Sequence, residues 1–361
     1  MKKLSKIGFC LVAMAMVIGL VLAAPTGSQA AKYTMVLAHV YPVSMTNNEV
    51  HPALHRFADI VKTQTNGDVE VKIFGNMILG TEIEYTQKAQ KGKTVQSAVL
   101  SSGAFSSFFP KYQVITTPYL FKDYNVAWAF FNSKYYAKLM EEMRAKTGLR
   151  YLGTMDDGGG FVAFTNNKRL IKSPADMKGL RIRVEENPAH IAMIEATGAK
   201  AVPLEWGQVP TALQTGVADG QFNAPGLNAA MKFWDVCKYT TWTGHVYNSL
   251  NWVINDKWFK SLPEKYQHVI LRAARQAVLY AHGVSVHLTY LGWKEGCEHF
   301  KACYVPTSAE KAAFRDLMRP AYYKWVTTKF GMKPEFVHEL WNKVDEISKN
   351  LDKGYWDKWG K

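Results

Sequence analysis

The segment Arg181-Ile182-Arg183-Val184 carries the side chains with the clearest chemical capacity in this chain. Read as a strand, its period of two sends both arginines to one face and Ile182 and Val184 to the other. A guanidinium is a planar, permanently charged fork whose parallel N–H groups match the two oxygens of a carboxylate. One arginine at a strand end beside a cleft is therefore equipped to recognise an acid. The local pattern equally admits a solvated sheet edge, or an internal ion pair with Glu185 or Glu186. Asp156-Asp157 is a second constellation. Two carboxylates can divide acid and base work, but neighbours on a strand point to opposite faces, so only one of them reaches a cleft. A turn is the expected conformation there. His51 and His55 stand four apart on a helical stretch, yet Pro52 puts a first turn between them and no third ligand accompanies them, which argues against a metal. The chain has no G-x-S-x-G elbow, H-E-x-x-H, Walker loop or dinucleotide fingerprint. The expectation is a binding site without catalytic residues, cofactor or metal.

The elements that position these residues alternate. Tyr33 to His39 reads as a strand, and Val50, Leu54, Phe57, Ala58 and Val61 follow a helical period that stops at Thr65-Asn66-Gly67. Val69 to Phe74 is the next strand, Thr81 to Gln90 a helix ending at Lys91-Gly92, and Val95 to Leu100 a buried strand running into Ser101-Ser102-Gly103. The order recurs: strands at Phe161 to Thr165 and Leu180 to Val184, a helix from Pro188 to Thr197, a strand at Lys200 to Pro203, a helix from Val209 to Gln214, and a strand entered through Val217 to Gln221. Two such units predict an α/β fold of two lobes with a ligand cleft beyond the strand ends, and Gly158-Gly159-Gly160 is placed as a crossing between them. Ser261-Leu262-Pro263-Glu264 reads as a capping box opening a helix that runs to about Phe300, on the order of 55 Å and long enough to brace both lobes. Gly283, Gly292 and Gly296 are expected to mark a kink or break in it. The expected lobes are 31–153 with about 245–280, and 154–244 with about 281–305, and shorter amphipathic helices over 306–361 pack outside them.

The 361 residues open on Lys2, Lys3 and Lys6, an uncharged apolar run from Ile7 to Ala23, and Ser28-Gln29-Ala30. This is the pattern of a cleaved secretory signal over 1–30; the alternative, a membrane anchor, lacks that small-residue exit. Cys10 lies too early in the run for lipid modification. An exported soluble chain of about 330 residues exceeds what one hydrophobic core supports. Its formal charge of +14 falls to +11 without the three signal lysines, and the basic residues are scattered rather than blocked. Such a field suits solubility or attraction of anions and gives no reason to expect nucleic acid. Cys237, Cys297 and Cys303 then remain. Cys297 and Cys303 can pair across a helix end, or stay apart if both lie in continuous helix, and Cys237 is expected as a buried free thiol.

Lys178-Gly179-Leu180-Arg181-Ile182-Arg183-Val184, followed by Leu213-Gln214-Thr215-Gly216-Val217-Ala218-Asp219-Gly220-Gln221-Phe222-Asn223-Ala224-Pro225, resembles the substrate-binding subunits (DctP type) of tripartite ATP-independent periplasmic (TRAP) transporters. Phe57 to Val61 with Thr65-Asn66-Gly67, Leu79-Gly80, Pro118 to Phe121, Ser173 to Gly179 and Leu262-Pro263 extend the resemblance along nearly the whole mature chain. It implies two lobes joined by hinge strands, closing over one small organic acid in the periplasm, with membrane permease subunits as partner and a monomeric working unit. The family's carboxylate-binding arginine falls on Arg183 rather than Arg181, its asparagine on Asn223 and its aromatic before the second-lobe helix on Trp206. Glu186 falls where members often touch ligand, Ser101 and Ser102 at the first-lobe strand end, and Phe222 becomes a pocket wall. His39, Glu82 and one of the two aspartates, with Asp157 the choice, complete the candidate set, and Trp252 is expected nearby. Many members carry a second arginine after the first hinge, where this chain has Phe161-Val162-Ala163. The departure disfavours a doubly clamped sugar acid and points to a compact acid with an apolar or amino-substituted body. A receptor for a membrane sensor and an exported enzyme are the alternatives to a transport receptor.

Overall fold

The computed structural model describes residues 30–359, so the export signal as far as Gln29, with Cys10, lies outside the described residues. The strands within them are, in chain order, β1 (Tyr33–Ala38), β2 (Val69–Phe74), β3 (Ser97–Ser101), β4 (Leu149–Phe161), β5 (Ala163–Asn166), β6 (Arg181–Val184), β7 (Lys200–Pro203), β8 (Gly220–Asn223), β9 (Tyr239–Thr241), β10 (Tyr247–Asn255) and β11 (Ala302–Tyr304). They form two sheets, one per lobe. The first runs β2-β1-β3-β10-β4, and the second β11-β9-β5-β8-β6-β7. β1 is parallel to β2 and β3, whereas β10 is antiparallel to both β3 and β4.

Local chemistry sets these elements. Thr81 closes a capping box with Glu84, and Gly92 at φ 66° ends the helix Glu82–Lys91, so Glu82 is fixed in a first turn. All residues of β3 and β10 are buried, as expected of strands covered on both faces. The expected turn at Asp156-Asp157 is instead continuous strand, because β10 pairs with this stretch across Leu250↔Met155 and Ser249↔Asp156. The pleat then divides the two acids. Asp156 is wholly buried and accepts from His282 Nδ1 at 2.9 Å, Trp128 Nε1 at 3.0 Å and the Tyr247 hydroxyl.

The long helix spans Glu264–His299, 36 residues or about 54 Å. It packs on the helix Val50–Gln64 and on β4 of the first lobe and on the helix Pro225–Ala230 of the second. Ser261 is not its cap: that hydroxyl donates to Trp258 O at 2.7 Å in the preceding helix Asp256–Ser261, and Pro263 holds the N-cap position. The three glycines do not break it. At Gly292 a Cβ would lie 2.7 Å from Pro225 O, so the residue's smallness permits the close approach of the second-lobe helix. Where β4 leaves the first sheet, Gly158, Gly159 and Gly160 all have positive φ, and a side chain on Gly159 would collide with the Thr289 hydroxyl of the long helix.

Cys297, in the last turn of that helix, is disulfide-bonded to Cys303 on β11 with Cα atoms 5.5 Å apart, because the helix stops between them; Cys237 is a buried free thiol. The closing helices are Ser308–Lys324, against the second-lobe helix Pro188–Glu195, and Pro334–Trp359, against the first-lobe helix Tyr124–Phe131. Among the described residues no helix is long and apolar enough to cross a membrane.

Candidate ligand-binding site

The two sheets present their strand ends to a cleft that encloses a cavity of about 780 Å³ including its mouth. The first lobe contributes Tyr41 from the loop after β1, Glu82 from a helix start and Ser101 from the end of β3; Asp157 comes from the hinge strand β4. Arg183, Glu185 and Glu186 run off the end of β6, with Leu204 to Trp206 and Asn223 beside them.

Alternation along β6 buries Ile182 and Val184 in the core at 0% exposure and turns both arginines the other way. Their fates differ. Arg181 forms a fork with Asp219, its Nε at 3.1 Å from Oδ2 and Nη2 at 2.7 Å from Oδ1. Arg183, only 4% exposed, meets no carboxylate within 4.0 Å among the described residues. Its Nε and Nη2 donate to Leu204 O at 3.0 and 2.7 Å, and its guanidinium lies 5.9 Å from the Trp206 ring. That carbonyl occupies the Nε/Nη2 edge of the fork, and Nη1 makes no hydrogen bond among the described residues. Burial pulls the guanidinium down from its ordinary range, opposed by Glu185, Glu82 and Asp157.

The acids around it are partly tied down. Glu82 accepts from Ser101 N at 2.6 Å and Ser101 Oγ at 3.1 Å, and Asp157 Oδ1 accepts from Tyr41 OH at 2.6 Å. Glu185 Oε2 is buried without a hydrogen-bond partner among the described residues. Burial is the first cause of a raised pKa in each case. It lifts Glu82 to about 8, against the backbone hydrogen bond from Ser101; Glu185 to about 7, against Arg183; and Asp157 to about 6, against Tyr41 and Arg183. Asn223, 4% exposed, gives one amide hydrogen to Gln221 at 2.5 Å; Gln221 is held in turn by Thr165 and Asn228 at 2.7 and 2.9 Å.

A family model described as bacterial extracellular solute-binding protein, family 7 (DctP), matches residues 39–329. The chain belongs to this family. A solute-binding protein of Verminephrobacter eiseniae is 35% identical over 230 residues, which cover 64% of this chain and 68% of that protein. The 2,3-diketo-L-gulonate-binding periplasmic protein YiaO of Escherichia coli is 30% identical over 240 residues, covering 66% and 72%. Among solved structures, a TRAP periplasmic solute-binding protein from Desulfovibrio salexigens with bound orotic acid matches at TM-score 0.80 and 26% identity over 87% of this chain and 99% of that one. Another from Sulfurospirillum deleyianum with bound succinate matches at TM-score 0.77 and 25% identity over 88% and 99%. Family 7 membership and the two-lobed fold are those of transport receptors.

Within this family 7 fold, Arg183, Asn223, Trp206, Glu186, Ser101, Asp157 and Glu82 all border the one cavity. Three candidates do not. Phe222 shares β8 with Asn223, so the pleat turns it into the core, where its ring centre lies 5.9 Å from that of Phe164 and 5.0 Å from that of His245. Ser102 is directed behind the cavity wall and donates to Ser249 O at 3.1 Å. His39 is fully buried beside the cleft, Nε2 lying 3.0 Å from His51 Nδ1. Trp252 is likewise core, packed edge-on against Phe57 at 4.7 Å. The sequence reading missed Tyr41, Glu185 as a wall residue, and Glu205. Period two along β6 places Glu185 on the Arg183 face and was available as a signal; nothing in the sequence marked Tyr41.

Proposed function

We propose that this chain is the periplasmic receptor of a TRAP transporter, closing over a small organic acid whose carboxylate docks end-on against Nη1 and Nη2 of Arg183. The observation that carries the reading is a nearly fully buried guanidinium at a cavity wall, its Nε side occupied by Leu204 O and no acid within ion-pair distance among the described residues. A buried cation of this kind is stable in a binding protein when an anionic ligand completes it. The similar structures support the class of ligand, two of them holding orotic acid and succinate. Arg181 is structural in this scheme, because Asp219 already satisfies it.

The proposal includes cleavage of a signal near Ala30, permease subunits as the partner that receives the closed receptor, a monomeric working unit and no catalytic role. It takes the first lobe as 31–153 with about 245–280 and the second as 154–244 with about 281–305, with β4 and β10 as hinge strands. A thermal-shift screen of carboxylic acids tests it, because a ligand at 100 times its Kd adds about 2.7 kcal/mol of stability. An acid that stabilises the native chain and has no effect on Arg183→Ala is the expected result. An acid that stabilises both equally overturns the assignment of Arg183.

A further inference from the structure

The cavity is unbalanced in charge. Arg183 is the only basic side chain on its wall among the described residues, and it faces Asp157, Glu82, Glu185, Glu186 and Glu205. Internal hydrogen bonds engage part of this set. Asp157 uses Oδ1 for Tyr41, Glu82 uses both oxygens for Ser101, and Glu185 Oε2 has no partner. Asp157 Oδ2 makes no hydrogen bond among the described residues, although Asp157 is 6% exposed and lines the cavity.

We infer that the ligand is a zwitterion, a compact acid whose carboxylate meets Arg183 and whose cationic nitrogen lies against Asp157, with Glu82 and Glu185 around it. The inference rests on the carboxylate reading of Arg183. A plain dicarboxylate would bring a second acid toward five acidic side chains and offer them no cation. A polyhydroxy acid could donate to their oxygens but brings no cation to those that are ionised. No group of three metal-ligating side chains among the described residues is arranged to hold a metal ion, so a bridging cation does not replace the ligand's own. Val40, Ile83, Leu227 and Leu250 on the wall suit a short carbon skeleton between the two charged ends.

The pKa directions agree with this geometry and give it an opposite-sign test. With Glu82 at about 8 and Glu185 at about 7, the empty site holds protons at neutral pH. A cationic nitrogen expels them, so zwitterion affinity rises as pH climbs from about 6 to 8. An anion without the nitrogen favours the protonated acids, and its affinity falls over the same range. The other titratable groups facing these acids are Tyr41 and Glu49, whose pKa values burial raises, Glu205, raised likewise, and His190 at about 3, lowered by burial and then by Arg183. None reverses the sign.

The experiment is calorimetry on the mature protein with matched triads sharing one carbon skeleton: amino acid, hydroxy acid and dicarboxylate, for α- and ω-substituted chains of two to six carbons, with aldonic acids as a further arm. The best zwitterion should bind about ten- to a hundredfold tighter than its hydroxy-acid partner, the discrimination expected of a hydrogen bond to a charged group. It should release protons on binding. Asp157→Asn should cut zwitterion affinity at least about tenfold more than it cuts hydroxy-acid affinity; a merely structural effect weakens both alike, and the thermal transition of each unliganded variant reports folding. A hydroxy acid, aldonic acid or dicarboxylate that binds as tightly as the amino acid, with dependence on Arg183, overturns the zwitterion and leaves the carboxylate reading intact. Absence of any Arg183-dependent acid overturns both.

Discussion

Replacing Arg183 by alanine removes the only basic side chain that, among the described residues, lines the cavity. Breaking one side of a buried, hydrogen-bonded charge pair costs about 2–5 kcal/mol, and the low end of that range is about thirtyfold in affinity and the high end several thousandfold. Arg183 belongs toward the high end. It is 4% exposed, and no other basic side chain among the described residues lines the cavity to repair the loss. Arg183→Lys retains the charge but forfeits both the planar fork and the shared bond to Leu204 O, so the ligand is held by one donor in place of two, a loss of about tenfold or more. Arg181→Ala should leave affinity unchanged and lower the thermal transition, because its partner Asp219 lies outside the cavity wall and retains Lys168 at 3.6 Å. Titration calorimetry of the three variants with the acid found by screening reads all of this at once. Affinity within threefold of native in Arg183→Ala, or a larger loss in Arg181→Ala than in Arg183→Ala, refutes the reasoning.

Three further outcomes are expected. Calorimetric scans of the unliganded protein should show stability falling between about pH 6.5 and 8. Burial holds Glu49 and Glu82 at about 8 and Glu185 at about 7, so the folded state binds protons that the unfolded state has released above the ordinary value of 4.5. The buried histidines His39 and His190, lowered to about 3, act in the opposite direction only below their ordinary 6.5, so a rising transition above that pH would contradict the burial of these acids. Gly159→Ala should destabilise by about 2 kcal/mol or more in denaturant titration, since φ is +115° and Thr289 fills the space; an unchanged midpoint would mean the hinge packs differently. Cys297→Ser should lower stability by about 2 kcal/mol, the loop-closure value for so short a ring, and intact-mass measurement of the native protein should find two hydrogens fewer than the reduced chain; a fully reduced native protein would exclude the bond.

The site was legible where side-chain period and backbone geometry agree. Alternation along β6 separated Arg181 and Arg183 from the core residues Ile182 and Val184, and the glycine ending the helix at Gly92 located the strand that delivers Ser101. The same rule applied to Gln221-Phe222-Asn223 predicts that Phe222 and Asn223 part company, so placing both in the pocket overlooked a signal that was present. The position of the crossing at Gly158-Gly159-Gly160 was legible, but the strand that leads into it was not. β10 buries Asn248, Ser249 and Asn251 beside Leu250 and Trp252, so it has no hydrophobic period, and its pairing with β4 is what makes strand of the Asp156-Asp157 stretch. A long-range ladder of this kind leaves no local trace. The long helix was visible from its freedom from proline, but its glycines mislead a local reading, because at Gly292 the reason for glycine is a neighbouring backbone rather than a bend.

The division of the two neighbouring aspartates bears on how occupancy becomes motion. Asp157 lines the cavity, while Asp156, one peptide further back, is bolted to His282 of the long helix and to Trp128 and Tyr247 of the first lobe. On the proposed reading, a load applied by ligand at Asp157 acts between the anchored Asp156 and the positive-φ glycine segment beginning at Gly158, whose backbone is held by Glu49 and Tyr124. No relay through packed side chains is needed to report a filled cleft. In the proposed receptor the ligand-facing acid and the crossing share a single stretch of backbone, so a change of charge at Asp157 is expected to alter lobe closure together with the grip on the solute.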